Sequence, residues 1–376
     1  MAETVIEMEP VFIEVRADHE GGVETDAEDL RERIRRAGRL LVEGDAAQAQ
    51  ALYEAALPFV RDDELLRALL FNLGLAHEAQ QAWEASAARF GEVIAGWRGH
   101  PDAGHAMLRV AEAWAQLERW EAIPSLMQEH GQRGGLPLVE RLEGMVRLAS
   151  ALLELRRFTE AARAYDAVLA RNAEASAAWD PQRVRPEQRP LRASHGLISQ
   201  ARYGRARVFH LLALGVHLRM PNEVLRQDLA TFRQLIDEAR EAYLEALAGG
   251  HPLWAARAGL MVGQLFEDTY ATVLAAEVPA GFSALESAIY FHELRRFLRR
   301  DLEHAIRVYQ EAMAMCYRIG APSSFVEEAQ ARIVRLRAYL DERLAWATEE
   351  RWVLDGIHPR SYPRGARWRY HTDPPD

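Results

Sequence analysis

Residues 70–90 read LFNLGLAHEAQQAWEASAARF. Leu70, Leu73 and Gly74 share one side of a first helix, with His77 one turn on; Ser86 and Phe90 stand four apart on a second. A small residue lets two helices approach closely, and an aromatic on a neighbouring helix fills the gap. The pattern recurs upstream as Ala37, Leu40 and Gly44, then Ala49, Tyr53 and Ala56. Downstream it gives Met107, Val110, Ala111 and Trp114, then Ile123 and Met127. A fourth copy gives Met145, Leu148, Ala149 and Leu152, then Ala161, Tyr165 and Val168. The small first-helix residues stand at 37, 74, 111 and 149, so the steps are 37, 37 and 38, and each lies twelve residues before its second-helix counterpart. One match is weak. Four in register define a repeat.

A helical hairpin that leaves one apolar face open is stable only when stacked on its neighbours. The spacing resembles the tetratricopeptide (TPR) unit. It predicts an all-α, TPR-like α-solenoid, a right-handed superhelix of stacked helical hairpins with an elaborated C-terminal half of longer helices. Composition agrees, with 49% hydrophobic residues rich in Ala and Leu, abundant Arg and Glu, and few Val/Ile/Thr runs. No apolar stretch reaches the length of a membrane span.

The punctuation sets the expected organisation. Val11, Ile13 and Val15 alternate with polar residues, like a short strand or an extended arm, so residues 1–24 are expected to form an acidic N-terminal arm. Thr25 with Glu28 reads as a capping box opening four hairpins over 25–171. Pro101 and the Gly131–Pro137 stretch fall between hairpins. Residues 172–196, with Pro181, Pro186 and Pro190 among four arginines, read as an insertion. Repeat-like elements resume over 197–351: Tyr203, Gly204 and Arg207; a long helix at 222–248 ending in Ala239, Tyr243 and Ala246; Gly263 and Phe266; Ala305, Tyr309 and Ala312; and a last helix near 324–351. Residues 352–376 form a basic-aromatic tail.

What the chain lacks excludes several chemistries. All 46 basic residues are arginine. Without lysine there is no Schiff base, no pyridoxal-phosphate linkage and no P-loop lysine. Cys316 is the only cysteine, in the apolar run Ala312–Cys316, and reads as a small core residue. His292-Glu293 opens like a zinc-protease helix, but Arg296 stands where a second histidine is needed. His210 and His217, seven apart, are expected as core-edge or surface residues sharing a helix face. His100 and His105 flank a Pro-Asp turn. The adjacent Glu267 and Asp268 point about 100° apart on a helix and do not converge as an acid–base couple. The expectation is no catalytic residue, no metal and no cofactor. A net charge of −10 argues against nucleic acid as partner. The first 29 residues hold ten acids against Arg16, whereas Arg360, Arg364, Arg367 and Arg369 make the end basic. Arg295, Arg296, Arg299 and Arg300 form a two-row basic stripe suited to a solvated face or to an acidic segment.

The stretches His251-Pro252-Leu253-Trp254, Gly263–Tyr270, Ala276–Pro279 and Tyr290–Arg295 also resemble large TPR proteins of the deltaproteobacterial cell envelope, including those associated with gliding motility. So does Phe12–Asp18. The resemblance implies an envelope scaffold without enzymatic activity and carries over no functional residue. Such proteins usually begin with an export or lipid-attachment signal. Met1–Pro10 shows neither a basic leader nor an apolar segment, so a cytoplasmic relative, or a true start upstream, is expected.

The register assigns first-helix positions to the inner curve of the superhelix: Phe71, Leu75 and Glu78; His105, Leu108, Glu112 and Gln116; Glu143, Val146, Ser150 and Glu154. Phe71, Leu108 and Val146 also read simply as interhelical packing. An apolar floor with carboxylates suits an extended or helical peptide carrying basic side chains. The functional expectation is a scaffold or adaptor for protein or peptide partners, its own oligomeric state open. The alternative is a regulatory sensor whose longer helices take a peptide or small ligand.

Overall fold

The computed structural model describes residues 11–17, 23–134, 136–177 and 195–354. The chain divides into two compact units, Met1–Arg157 and Phe158–Asp376. Among the described residues there are thirteen α-helices and one two-stranded sheet.

The first unit opens with strands β1 (Val11–Ala17) and β2 (Val23–Asp29), paired antiparallel with Val15 opposite Thr25. This corrects the expected capping box. Thr25 and Glu28 lie inside β2, and the first helix starts where pairing ends: the Asp29 carboxylate accepts the Glu32 N–H at 2.6 Å. Helices α1 (Leu30–Glu43), α2 (Ala46–Ala56), α3 (Asp63–Ala79), α4 (Trp83–Gly96), α5 (Pro101–Gln116), α6 (Ile123–Gly131) and α7 (Leu138–Glu154) follow. Asp45 and Asp62 cap α2 and α3 as Asp29 caps α1, and Pro101 stands in the first turn of α5.

The backbone carries the same period as the side chains. Each first helix ends on a left-handed residue, at Gly44, Gln81, Glu118 and Arg156, again in steps of 37, 37 and 38. The next N–H reaches back five residues in every case: Asp45 to Leu40, Ala82 to His77, Arg119 to Trp114 and Arg157 to Leu152, at 2.8–2.9 Å. This Schellman closure satisfies carbonyls the helix leaves open and turns the chain into the second helix. Only Gly44 adopts it without a Cβ penalty.

Stacking buries the repeat residues. Ala37, Ala111 and Ala149 are at most 1% exposed, and so are Ala49, Ser86, Tyr53 and Phe90. Phe90 packs with Leu70, Val93, Ala106 and Val110, so three helices share one aromatic anchor. At Gly74 a Cβ would stand 2.8 Å from the Phe90 ring, which is why that position is glycine.

The second unit holds α8 (Phe158–Ala177), α9 (His195–Leu214), α10 (Asn222–Ala248), α11 (Pro252–Leu274), α12 (Ala284–Ile319) and α13 (Ser323–Leu354). Its helices reach 36 residues in α12, longer than any in the first unit. Ser283 and Glu286 form a capping box at the start of α12, and Gly320 at φ 64 ends it. The same seating returns on a larger scale. Tyr165 covers Gly204 and Tyr309 covers Gly263, each so closely that a Cβ would overlap the ring. Ala239, Tyr243 and Ala246 are fully buried against α9 and α11, and Cys316 is 1% exposed. Residues 178–194 of the Pro/Arg-rich stretch and the tail 355–376 lie outside the described residues. Among the described residues no helix is long and apolar enough to cross a membrane.

Candidate protein-interaction face

In the first unit the selected side chains stand on α3, α5 and α7, the first helix of each hairpin. Phe71 and Leu75 are half-buried at the edge of the Phe90 cluster, with Phe71 edge-on to Phe90 at 5.1 Å. Leu108 and Val146 are buried and pack between helices. Gln116 and Glu154 are exposed.

Glu78, Glu112 and Glu143 are already engaged. Glu78 takes Arg109 at 2.8 Å. Glu112 takes Arg147 at 2.5 Å, and Arg147 also holds Glu143 at 2.7 Å. Gln116 donates to Glu112 at 2.9 Å, and His105 lies 3.1 Å from Glu140. Arg67 with Asp102 at 2.9 Å completes a ladder across three first helices. Ser150 also keeps interactions within the chain. Burial alone would push the Glu112 carboxyl up, but the bonds from Arg147 and Gln116 hold it below the usual carboxylate range. The face is therefore a prearranged surface on which Glu78, Glu112 and Glu143 already hold arginines, rather than a row of bare carboxylates.

His100 and His105 do not form a joint loop site. His100 caps α5 through its Nδ1, accepting the Asp102 N–H at 3.1 Å, while His105 faces Glu140. Sequence reasoning missed Arg109 and Arg147, which engage Glu78, Glu112 and Glu143, and also His130. The His130 ring is 1% exposed, sits where a Cβ on Gly144 would be, and leaves Nε2 without a hydrogen-bond partner. Burial, then Arg133, pushes its pKa down. A usable signal was present: Arg67–Asp102 and Glu112–Arg147 are opposite charges 35 residues apart, two short of the repeat, and His105–Glu140 has the same spacing.

The second unit carries a comparable seam on α9, α11 and α13. His210 was expected at a core edge. It is fully buried, with Nε2 2.9 Å from Asp268 and Nδ1 3.3 Å from the Tyr243 hydroxyl. His217 is exposed and lies past Leu214, where α9 ends, so the two histidines share no helix face. Glu267 turns away from Asp268 to bind Arg335 at 2.7 Å, Arg332 at 3.3 Å and the Tyr309 hydroxyl. In the basic stripe, Arg296 pairs with Glu293 and Arg299 with Glu303, both at 2.8 Å. Among the described residues no group of three or more His, Cys, Asp or Glu is placed to hold a metal ion.

The hairpins define a helical repeat protein of the TPR type. No family model and no curated protein matches the chain. Similar solved structures include TPR-like repeats of a Podosopora anserina kinesin light chain, at 17% identity and TM-score 0.38, over 55% of this chain and 94% of that one. The apo form of RapI is similar over 83% of this chain and 99% of its own, at 10% identity and TM-score 0.45. A tetratricopeptide repeat protein from Parabacteroides merdae covers 81% of this chain and 98% of its own, at 14% identity and TM-score 0.36.

Proposed function

We propose that this protein is a non-enzymatic adaptor that holds a protein segment against the first helices of Met1–Arg157, within a multi-component assembly. The resemblance of its sequence to envelope TPR proteins makes the cell envelope the setting we favour. The observation that carries the reading is the ladder of cross-helix pairs, which aligns α3, α5 and α7 on one polar face beside the half-buried Phe71 and Leu75. A guest seated there covers the apolar shelf of Phe71 and Leu75 and meets Gln116 and Glu154, whose side chains reach solvent. Basic side chains on the guest compete with Arg109 and Arg147 for Glu78, Glu112, Glu143 and neighbouring Ser150, while His105 opposite Glu140 closes one side. Such exchange of partners suits a reversible contact.

The second reading, a sensor, draws on the buried seam around His210 and Glu267, where a ligand would have to displace internal bonds. The two separate on one experiment. Tagged protein is used to capture partners from native extract, alongside a Gln116→Ala/Glu154→Ala variant. Both side chains are exposed, so the melting temperature should stay within about two degrees, while captured partner falls at least about tenfold. Repeated capture of nothing by the unaltered chain removes the adaptor reading.

A further inference from the structure

Among the described residues, helix α12 packs one face into the core of the second unit and presents another outward. Leu294, Leu298, Leu302, Ala305 and Tyr309 face the core of the second unit. Away from that core Glu286, Ile289, Glu293, Phe297 and Arg300 are exposed, whereas the His304 ring packs 5.6 Å from Phe266. At 100° per residue these five exposed positions fall within about 80° of one another, forming a single stripe. Phe282, just before the Ser283 cap, extends it and is 41% exposed. Ile289 is 38% exposed and Phe297 78%. Large apolar side chains in a regular row on the outside of a helix mark a contact surface rather than scatter.

The stripe is palindromic. Its spacing about Glu293 is 4 and 7 residues in either direction: Ile289 with Phe297, and Glu286 with Arg300. Each mirrored pair is complementary in kind, being apolar with apolar and acid with base. At the centre Glu293 is neutralised by Arg296 at 2.8 Å, so two copies meeting there bring two acids and two bases. A two-fold axis needs this self-complementarity, because residue i then meets residue j and j meets i.

We propose that two copies of this chain associate through α12, antiparallel, with the two-fold axis at Glu293. Ile289 of each copy packs on Phe297 of the other, and Glu286 of each pairs with Arg300 of the other. The charge pattern selects a second copy over the chain's own tail, since Arg360, Arg364, Arg367 and Arg369 would meet Arg296, Arg299 and Arg300. It also gives the Arg295–Arg300 stripe a role, with Arg300 as the charge exchanged between copies.

The test is sedimentation equilibrium on the full chain between micromolar and hundred-micromolar concentration. The expected result is a dimer that Phe297→Glu dissociates, raising Kd about a hundredfold. The 78% exposure of Phe297 leaves the helical circular dichroism of that variant unchanged. Arg300→Glu should weaken the dimer. Glu293→Cys, on the axis, should cross-link two copies under mild oxidation, whereas Arg299→Cys, off the stripe, should not. A monomer throughout the range overturns the proposal. So does a dimer that Phe297→Glu leaves intact, or one that cross-links no better through Glu293→Cys than through Arg299→Cys.

Discussion

Replacing Gly74 and Gly91 by alanine, one at a time, isolates the contact on which the first unit turns. Both glycines are interior to helices, α3 and α4, and both gain about 1 kcal/mol of helix propensity on becoming alanine. Their surroundings differ. A methyl at Gly91 meets nothing within 4 Å, whereas one at Gly74 comes within 2.8 Å of Phe90 Cε1 and 3.0 Å of Cδ1. Phe90 is fully buried among Leu70, Val93, Ala106 and Val110, so its ring cannot swing clear, and overpacking of this kind costs about 1–3 kcal/mol. Gly91→Ala should therefore stabilise by about 1 kcal/mol, and Gly74→Ala should be neutral to about 2 kcal/mol destabilising. The propensity gain is common to both, so the difference between them measures the packing alone. Hydrogen exchange of amides in α3 and α4 reads this local free energy without requiring the whole chain to unfold in one step. Phe90→Leu shortens the side chain, and in that background Gly74→Ala should approach the effect seen at Gly91. If Gly74→Ala stabilises the native chain as much as Gly91→Ala does, Phe90 is not seated on Gly74 and the register is wrong.

Arg147→Met leaves Glu112 and Glu143 facing each other without their shared cation. With these side chains 20–33% exposed, the loss should fall between that of a surface pair and a buried one, about 1–2 kcal/mol in urea unfolding. Glu112 should then titrate at higher pH by carboxyl NMR, and an unmoved Glu112 would refute its attributed dependence on Arg147. At alkaline pH the buried tyrosines dominate: burial, then Glu267, raises the pKa of Tyr309 well above that of a free phenol. A raised folded pKa stabilises fully below the unfolded value of about 10 and is lost as pH climbs above it toward the folded pKa. Stability should fall from about pH 10 upward, and Tyr309→Phe should flatten that limb; an unchanged alkaline limb would show that the Tyr309 hydroxyl is not buried against Glu267.

The hairpin register was legible because it is local. A small residue and its aromatic lie within sixteen positions, as Gly74 and Phe90 do, and the same contact repeats until chance is excluded. The long helix at 222–248 was legible too, bounded by Pro221 and Gly249. The left-handed turns at Gln81, Glu118 and Arg156 were not, because nothing in those residue types announces a positive φ. The start of α1 was misread because Thr25 with Glu28 satisfies the spacing of a cap, while strand pairing with β1 claims the backbone as far as Asp29. At the candidate face the sequence assigned the carboxylates to first helices, where they stand, but left Glu78 and Glu112 without their arginines. Which arginine reaches which acid depends on how far each helix is rotated against the next.

By itself, then, the amino-acid order determined a chain of helical hairpins with an interior of alanine, glycine and aromatic rings, because hydrophobic periodicity and side-chain size act within a hairpin. Only the tertiary structure decided where charge is cancelled and where it is left. It closed Glu78 onto Arg109 and Glu112 onto Arg147, sank His210 between Tyr243 and Asp268, and left Ile289 and Phe297 facing outward. The physical reason is range: burial follows from a pattern of neighbours along one helix, whereas ion pairs and open faces are set by side chains thirty or more residues apart, brought together only when the helices pack.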